Sequence, residues 1–341
     1  MMRSNISQSE TADIQEAGRF VSIIIPALNE EKHIGTCLGS LVHLNNSKDS
    51  YEVILVDNGS TDNTRDIART FEKKLNINVM MIKDVNVSTL RNIGVEHSKG
   101  DIFAFLDADC AVAENWLNCA LPYFNDPKVG AAGCSHEVPK EYGWVAKTWD
   151  LNIAKKRKKR NTATLPSGNM FVSRERFMAV NGFDDELVTN EDFDLCFRLI
   201  KSGSKLQSDP NISAVHYGVP NNLSAFYKQV RWHGTHVFKV FISDLKKMNN
   251  FRAVVYSLYY FCALICLVCS LFLSVLDQDY QFLLSMIPIL TVPPILMSTK
   301  TLVGVHSEFS AWVRLSFLYF VYGMARANSI WDMIRKQAWG R

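Results

Sequence analysis

The first half of the chain alternates short apolar runs with stretches of helical periodicity. The apolar runs are VSIII (21–25), VILVD (53–57), VMMI (79–82) and IFAFL (102–106). A segment with helical spacing of its apolar positions follows each run, and the first extends from about residue 31 to residue 44. Apolar strands that alternate with helices are typical of a mostly parallel sheet covered by helices on both faces. The pattern predicts an α/β fold whose ligands bind beyond the carboxyl ends of the strands.

Acidic loops follow three of these four strands. The loops are PALNEE (26–31), DNGSTD (57–62) and DAD (107–109). Each loop alone has a plain structural use, since Thr61 or Asp62 could cap a helix, and Asp107 and Asp109 could end a strand in a turn. Together they predict carboxylates along one sheet edge. We interpret this edge as a site for a cation and a nucleotide.

The rest of the soluble half is less regular. Its clearest element is a helix predicted from about residue 191 to residue 203, with Leu195, Leu199 and Ile200 on the buried stripe. A short strand is predicted over 212–218. The run KKRKKR (155–160) is either a solvated loop or a basic patch that faces anionic lipid headgroups or a phosphorylated acceptor.

Composition narrows the class of protein. The 341 residues carry a net charge of +3 and 21% charged residues, which fits neither a disordered chain nor a nucleic-acid-binding protein. Residues 1–19 are polar and lack the apolar core of a secretory signal, so we expect a disordered leader. The eight cysteines form no paired CxxC motifs, which argues against a zinc site or a disulfide framework and favours reduced, cytosol-facing thiols.

The last part of the chain has the pattern of a membrane protein. Residues 253–276 are uncharged and long enough to span a bilayer, and residues 282–298 form a second apolar segment interrupted by prolines. We expect a hairpin, with the large domain in the cytoplasm because Lys246, Lys247 and Arg252 flank the first span while the linker has no basic residue.

Two further segments near the hairpin are open to more than one interpretation. Residues 223–245 mix aromatic and basic side chains, as in a helix that lies in the membrane interface, but they could also pack on the soluble domain. Residues 309–330 contain Arg314 and Arg326, which favours an interfacial or re-entrant helix over a third span. The predicted regions are a leader (1–19), a catalytic domain (20–222), an interfacial helix (223–250) and a membrane region (251–341).

Four motifs, in this order and spacing, resemble those of family 2 glycosyltransferases with the GT-A fold. The motifs are VSIIIPALNEE, VDNGSTDNT, RNIGVEHSKGDIFAFLDAD and NEDFDLCFRL. The resemblance covers about residues 20–235, and the hairpin is similar to that of membrane-attached bacterial members that build polysaccharides and lipid-linked glycans. It implies an inverting transfer of a sugar from a nucleotide diphosphate to a hydroxyl group, with Mg²⁺ or Mn²⁺ bound to the diphosphate.

The resemblance also assigns roles to residues at the sheet edge. Asp109 matches the family's metal ligand, and His216 matches a histidine that completes the metal site, although a lone histidine is also often just packed. The nucleotide-sugar positions are Pro26, Ala27, Asn29, Glu30, Asp57, Arg91 and Asp107. Among these, Asp57 would recognise the base and Glu30 the ribose, while Asp107 would contact the ribose or support the metal. Arg91 would lie near the phosphates or pair with a neighbouring acid.

Asp192 matches the base that takes the acceptor's proton, although Glu191 and Asp192 could instead serve as dipole partners of a helix start. The remaining predicted positions, around the donor sugar and the acceptor, are Ser167, Gly168, Asn169, Glu191 and Trp232. The run QVRWHG (229–234) is one residue short of the QxxRW motif of processive synthases. Few spans follow, which favours transfer of a single sugar.

The sequence therefore predicts a multi-pass enzyme of the inner membrane that adds one sugar to a lipid-linked or other membrane-associated glycan and binds no nucleic acid. A short processive synthase and a non-catalytic nucleotide-sugar-binding scaffold are the alternatives.

Overall fold

The structure is a computed structural model that describes residues 19–154, 157–187, 189–243, 251–278, 280–305 and 308–339. The described residues form two compact units, the first drawn from Met1–Pro139 and Lys156–Gly218, the second from Lys140–Lys155 and Val219–Arg341. Nearly all of the expected leader, the start of the basic run 155–160, and Lys246 and Lys247 lie outside the described residues.

The strands are β1 (Val21–Ala27), β2 (Tyr51–Asp57), β3 (Ile77–Met81), β4 (Ile102–Leu106), β5 (Cys110–Val112), β6 (Val129–Gly133), β7 (Arg160–Asn161), β8 (Asn169–Ser173), β9 (Lys205–Ser208) and β10 (Ala214–His216). The helices are α1 (Ile34–Val42), α2 (Thr64–Arg69), α3 (Val87–Glu96), α4 (Trp116–Ala120), α5 (Trp144–Ala154), α6 (Arg174–Ala179), α7 (Glu191–Lys201), α8 (Leu223–Ser243), α9 (Phe251–Asp277), α10 (Gln281–Leu302) and α11 (Phe309–Trp339).

The first unit is built around an eight-stranded sheet in the order β3-β2-β1-β4-β8-β6-β9-β7. Strands β1 to β4 pair in parallel, which confirms the predicted α/β architecture, whereas β8 runs antiparallel to both β4 and β6. Alternate side chains of β1 enter separate apolar clusters, with Ile23 and Ile25 in one and Ile24 in the other. Both faces of the sheet are therefore covered, as its continuous apolar strands require.

The register of the parallel strands brings the acidic loops to one edge. Ala27 at the end of β1 pairs with Asp57 at the end of β2. On the other side of β1, Ile24 pairs with Phe105, one residue before the end of β4. The loops that follow β1, β2 and β4 consequently leave the sheet side by side, as predicted.

One predicted core residue was wrong. Helix α7 buries Leu195, Cys196 and Leu199, but Ile200 is 42% exposed. Ile200 follows Phe193 and Phe197 at helical spacing of seven and three residues, and these two are also exposed. The helix therefore has a buried stripe and a second, solvent-facing apolar stripe.

The second unit consists of helices α5 and α8 to α11. By length and composition, two stretches could cross a membrane, Val254–Leu276 in α9 and Gln281–Leu302 in α10, and they suggest membrane association. Within the described residues α11 does not meet that test. Its Arg326 is buried, and the guanidinium Nε donates to Ser257 Oγ at 3.0 Å. Helix α5, residues 144–154, also belongs to this unit. No pattern in the sequence indicated that this segment leaves the first unit and packs in the second.

Two consecutive tyrosines of α9 compensate for two consecutive prolines of α10. Pro293 and Pro294 have no N–H, so the carbonyls four residues earlier lose their helical partners. Tyr259 donates its hydroxyl to Ile289 O at 2.7 Å, and Tyr260 donates to Leu290 O at 2.9 Å. Because a neighbour now donates to each freed carbonyl, these tyrosines explain how α10 stays helical through Pro293 and Pro294.

Replacing Tyr259 by Phe should destabilise the helical unit by about 0.5–1.5 kcal/mol, the net value of one hydrogen bond. In a Pro293→Ala background the cost should fall towards zero, because the restored N–H can bond to Ile289 O. Unfolding of the full chain in detergent measures both values. Tyr280→Phe, at a side chain 64% exposed, is the control. Equal costs of Tyr259→Phe in both backgrounds would contradict the pairing.

Candidate active site

The loops after β1 and β2 are held together by reciprocal hydrogen bonds. Asn29 adopts a left-handed backbone with φ of 55°, and its N–H donates to Ser60 Oγ at 2.8 Å. In return, the Thr61 N–H donates to Asn29 Oδ1 at 2.9 Å. The Glu30 N–H donates to Thr64 Oγ1 at 2.7 Å. The predicted nucleotide loop is thus shaped by the neighbouring loop before any ligand binds.

Asp57 has one carboxylate oxygen satisfied and one free. Its Oδ1 accepts from the N–H groups of Gly59 and Ser60 at 3.0 and 2.9 Å. Its Oδ2 is buried and has no hydrogen-bond partner among the described residues. A buried unpaired oxygen is costly, so this atom fits a position that awaits a donor from a ligand. Pro26 and Ala27 are buried within β1 and can offer only backbone atoms to a ligand.

The second, two-stranded sheet brings the predicted metal-site residues together. Strands β5 and β10 pair antiparallel, and His216 lies opposite Cys110. Cys110 is the residue that follows Asp109 in the chain. The His216 Nε2 lies 2.9 Å from Asp109 Oδ2. Ligand atoms of Asp109, Cys110 and His216 all lie within 4.8 Å of one another and could hold a metal ion. Carboxylate oxygen and imidazole nitrogen are suitable donors for Mn²⁺, so the residues fit such an ion.

The Asp109–His216 pair is electrostatically coupled. Burial alone raises the pKa of Asp109, but the hydrogen bond and charge of His216 hold it below its ordinary value. Burial lowers the pKa of His216, but Asp109 outweighs that effect and leaves it raised. The carboxylate of Asp109 therefore stays ionised, as a cation ligand must be.

Arg91 is a buried connection between two acidic segments. Its guanidinium donates to Asp107 Oδ1 at 2.9 Å and to Glu191 Oε1 at 2.8 Å, and the side chain is only 3% exposed. Ser167 Oγ also donates to Glu191 Oε1, at 3.3 Å. Burial by itself lowers the pKa of Arg91, but the charges of Asp107 and Glu191 leave it raised. Arg91 thus pairs with neighbouring acids, the alternative to direct phosphate contact that the sequence left open.

Two glycines allow the acidic side chains to approach the backbone. A Cβ added at Gly168 would lie 2.2 Å from Asp107 Oδ2. A Cβ added at Gly218 would lie 1.9 Å from Asp109 Oδ2 and 3.0 Å from His216 Nε2. Gly168 was predicted at the site, whereas Gly218 was not, because only the folded structure places it beside the aspartate.

Asp192 lies in the first turn of α7, after Asn190 in a left-handed conformation with φ of 63°. Its Oδ1 accepts from the Phe193 N–H at 2.7 Å. Burial, followed by the negative charge of Glu191, raises the pKa of Asp192 to about 6. A carboxylate with such a pKa can accept a proton near neutral pH more readily than an ordinary aspartate.

Two predicted site residues have other surroundings. Asn169 is fully buried, accepts from Trp116 Nε1 at 2.8 Å, and donates to the carbonyls of Cys134 and Ile212 at 3.1 and 2.8 Å. Its side chain is occupied within the core, which indicates a structural role. Trp232 belongs to the second unit, on α8, where it is 51% exposed and its ring centroid lies 4.8 Å from that of His233.

Two histidines at this edge were not predicted from the sequence. His33 Nδ1 lies 3.0 Å from Glu30 Oε2, where it opposes the rise in the pKa of Glu30 that burial causes. The ring of His136, in the segment after β6, lies 5.1 Å from the ring of His216. Only the spacing of three from Glu30 could have indicated His33, and no local pattern indicates His136.

Known proteins resemble this chain in sequence. Residues 22–181 match the family model "Glycosyl transferase family 2", and residues 102–324 match "Glycosyl transferase family group 2". The chain is similar to glycosyltransferase AglE of Haloferax volcanii, with 31% identity over 59% of this chain and 68% of that protein. It is also similar to a dolichyl N-acetyl-alpha-D-glucosaminyl phosphate 3-beta-D-2,3-diacetamido-2,3-dideoxy-beta-D-glucuronosyltransferase of Methanococcus voltae, with 28% identity over 63% and 72%.

The fold has a solved counterpart. The mannosyltransferase PcManGT of Pyrobaculum calidifontis, determined with GDP-Man and Mn²⁺, superposes with a TM-score of 0.59 over 93% of this chain and 88% of that one, at 17% identity. The fold and the matches define a transferase that uses nucleotide-sugar donors on a GT-A scaffold. The chain belongs to the family 2 glycosyltransferases.

Replacing Gly218 by Ala should weaken binding of Mn²⁺ by tenfold or more, a loss of about 1.4 kcal/mol, because the new Cβ would lie 1.9 Å from Asp109 Oδ2 and displace that oxygen. Electron paramagnetic resonance of free Mn²⁺ measures the affinity. Gly39→Ala on α1, where an added Cβ meets nothing within 4 Å, should leave it unchanged. An unaltered affinity in Gly218→Ala would place the cation elsewhere.

Proposed function

We propose that this enzyme moves one sugar, with inversion, from a nucleotide diphosphate to a hydroxyl group of a lipid-linked glycan at the cytoplasmic face of the membrane. The observation that carries the proposal is the bond of Arg91 to both Asp107 and Glu191, which brings Asp192 to the same edge as Asp109 and His216. The raised pKa of Asp192 agrees with a proton acceptor there. A proton acceptor and a cation-binding carboxylate cluster are the two parts that such a transfer needs.

The donor is held by the loops after β1, β2 and β4. The unpaired Oδ2 of Asp57 accepts an N–H of the base, and Glu30, with the backbone of Pro26, Ala27 and Asn29, borders the ribose. Asp109 and His216 hold Mg²⁺ or Mn²⁺, and Asp107 supports this site. When bound, the cation supplies positive charge to the departing diphosphate. Arg91 keeps Asp107 and Glu191 in place rather than contacting the phosphates itself.

Asp192 accepts the proton of the acceptor hydroxyl as the oxygen attacks the anomeric carbon. The attacking oxygen forms the new glycosidic bond while the bond to the diphosphate breaks on the opposite face of the sugar. Ser167 and Gly168 border the donor sugar, close to Glu191.

Three observations support a lipid-linked acceptor. One similar protein is named for a dolichyl phosphate-linked sugar substrate. Helices α9 and α10 are long and apolar enough to cross a membrane. The exposed stripe of Phe193, Phe197 and Ile200 begins beside Asp192 and continues along α7, where the apolar chain of an acceptor could lie.

We further propose that residues 20–222 form the catalytic domain, 223–250 an interfacial segment and 251–341 a multi-pass membrane region of the inner membrane. The boundary between the two compact units at Gly218 and Val219 supports the end of the catalytic domain, whereas Lys140–Lys155 group with the helical unit. Helix α11 is proposed to lie at the interface, because its buried Arg326 is unfavourable in the centre of a bilayer.

The turnover rate should rise with pH through a midpoint of about 6, because a raised pKa means that Asp192 becomes an ionised base only above that pH. Replacing Glu191 by Gln removes the neighbouring negative charge and should move the midpoint to lower pH.

Asp192→Asn should lower kcat by roughly 10²- to 10⁴-fold while nucleotide binding survives. Single-turnover rates across pH measure the effects of both substitutions. A midpoint that stays the same in Glu191→Gln would disprove the assignment of Asp192 as the base.

Replacing Phe197 by Glu should raise KM for a long-chain lipid diphosphate glycan and leave KM for a short-chain, water-soluble analogue unchanged. Met178→Glu on α6 is the matched control, because both residues are 55% exposed. Assays in detergent with both acceptors provide the measurement. Equal turnover of the two acceptors by the unaltered enzyme would refute a lipid-linked substrate.

Product length distinguishes the transfer of a single sugar from the activity of a short processive synthase, which would yield ladders of many sugars. Nucleotide-sugar binding without transfer to any acceptor would instead favour a scaffold. The presence of Asp57, Asp107, Asp109 and Asp192 in one unit supports catalysis, since a scaffold has no use for a proton acceptor.

A further inference from the structure

The candidate cation site contains a sulfur atom that the proposed sugar transfer does not use. Cys110 follows Asp109 and is fully buried, and its Sγ lies 3.7 Å from Asp109 Oδ1. The other oxygen of the same carboxylate lies 2.9 Å from His216 Nε2. One carboxylate therefore lies between a thiol and an imidazole.

The β5–β10 pairing fixes this arrangement. Cys110 and His216 are directly opposite each other in the antiparallel register, so their side chains lie on the same face of the two-stranded sheet. Their ligand atoms and that of Asp109 lie within 4.8 Å of one another. Cys37, a second buried thiol nearby, instead directs its Sγ to the Asp107 carbonyl at 3.8 Å and is not part of this cluster.

We propose that Cys110 gives this site a second binding mode, in which its sulfur helps to bind a thiophilic divalent cation of the Zn²⁺ class. The inference rests on the proposed function, because it concerns the same Asp109 and His216. Oxygen, nitrogen and sulfur ligands together are a typical donor set for Zn²⁺, whereas Mg²⁺ requires oxygen and does not use a thiol.

Binding in this mode replaces the proton of the Cys110 thiol by the metal ion and releases that proton to solvent. The cation then has one sulfur, one nitrogen and one oxygen ligand from the protein. Because Asp109 and His216 are shared, a Zn²⁺ ion bound in this way excludes Mn²⁺ and Mg²⁺. Zn²⁺ is therefore a competitive inhibitor with respect to the activating cation.

Absorption spectroscopy of the full chain in detergent with Co²⁺, a substitute for Zn²⁺, tests the proposal. The unaltered protein should show a sulfur-to-cobalt charge-transfer band in the near ultraviolet, and Zn²⁺ should abolish it. The band should be lost in Cys110→Ser and kept in Cys37→Ser. Zn²⁺ affinity should fall in Cys110→Ser by at least the roughly 10- to 100-fold that loss of an outer-shell partner costs.

Mn²⁺ binding, followed by electron paramagnetic resonance, separates the two levels of inference. Suppose that Mn²⁺ binds equally to the unaltered protein and to Cys110→Ser, and that Co²⁺ gives no charge-transfer band. This result overturns the sulfur ligand but leaves the proposed cation site in place. Failure of the unaltered protein to bind Mn²⁺ overturns the proposed cation site as well. If Cys110→Ser does not fold, the band in the unaltered protein and in Cys37→Ser still decides the question.

Discussion

The arrangement of the site depends on one buried arginine. Arg91, on α3, bonds to Asp107 after β4 and to Glu191 at the start of α7. Several carboxylates converge on this edge of the sheet, and their mutual repulsion would separate them without an internal positive charge. Removing one partner of such a buried ion pair typically costs about 3–5 kcal/mol, because the remaining charge is left without compensation. Arg91 thus allows Asp107 and Glu191 to lie close together at one edge of the sheet.

Two aspartates of this edge have pKa values on opposite sides of the ordinary one. Burial raises the pKa of both, but the hydrogen bond and charge of His216 bring that of Asp109 below the ordinary value. For Asp192, burial and then the negative charge of Glu191 act in the same direction and raise the pKa to about 6. The difference arises from the partner that the fold supplies and not from the aspartate itself.

Local patterns predicted much of this molecule. Strand β4 coincides with the apolar run IFAFL, and the acidic loops lie where the parallel strands end. The antiparallel direction of β8 could not be predicted, because an apolar run does not reveal which way a buried strand points. The exposure of Ile200 was missed for a related reason, since α7 has two apolar stripes and periodicity does not say which one faces the core. Pairings across the chain, such as Arg91 with Glu191, have no local signal at all.

Oxygen atoms in the two units differ in whether the chain itself supplies a donor. In the helical unit, the carbonyls that Pro293 and Pro294 leave without partners receive the hydroxyls of Tyr259 and Tyr260. In the first unit, Oδ2 of Asp57 remains buried without a partner among the described residues. In the helical unit, neighbouring hydroxyls thus satisfy the freed carbonyls. An unpaired buried oxygen lowers the stability of the fold, and a donor group that bonds to it would return that loss as binding energy.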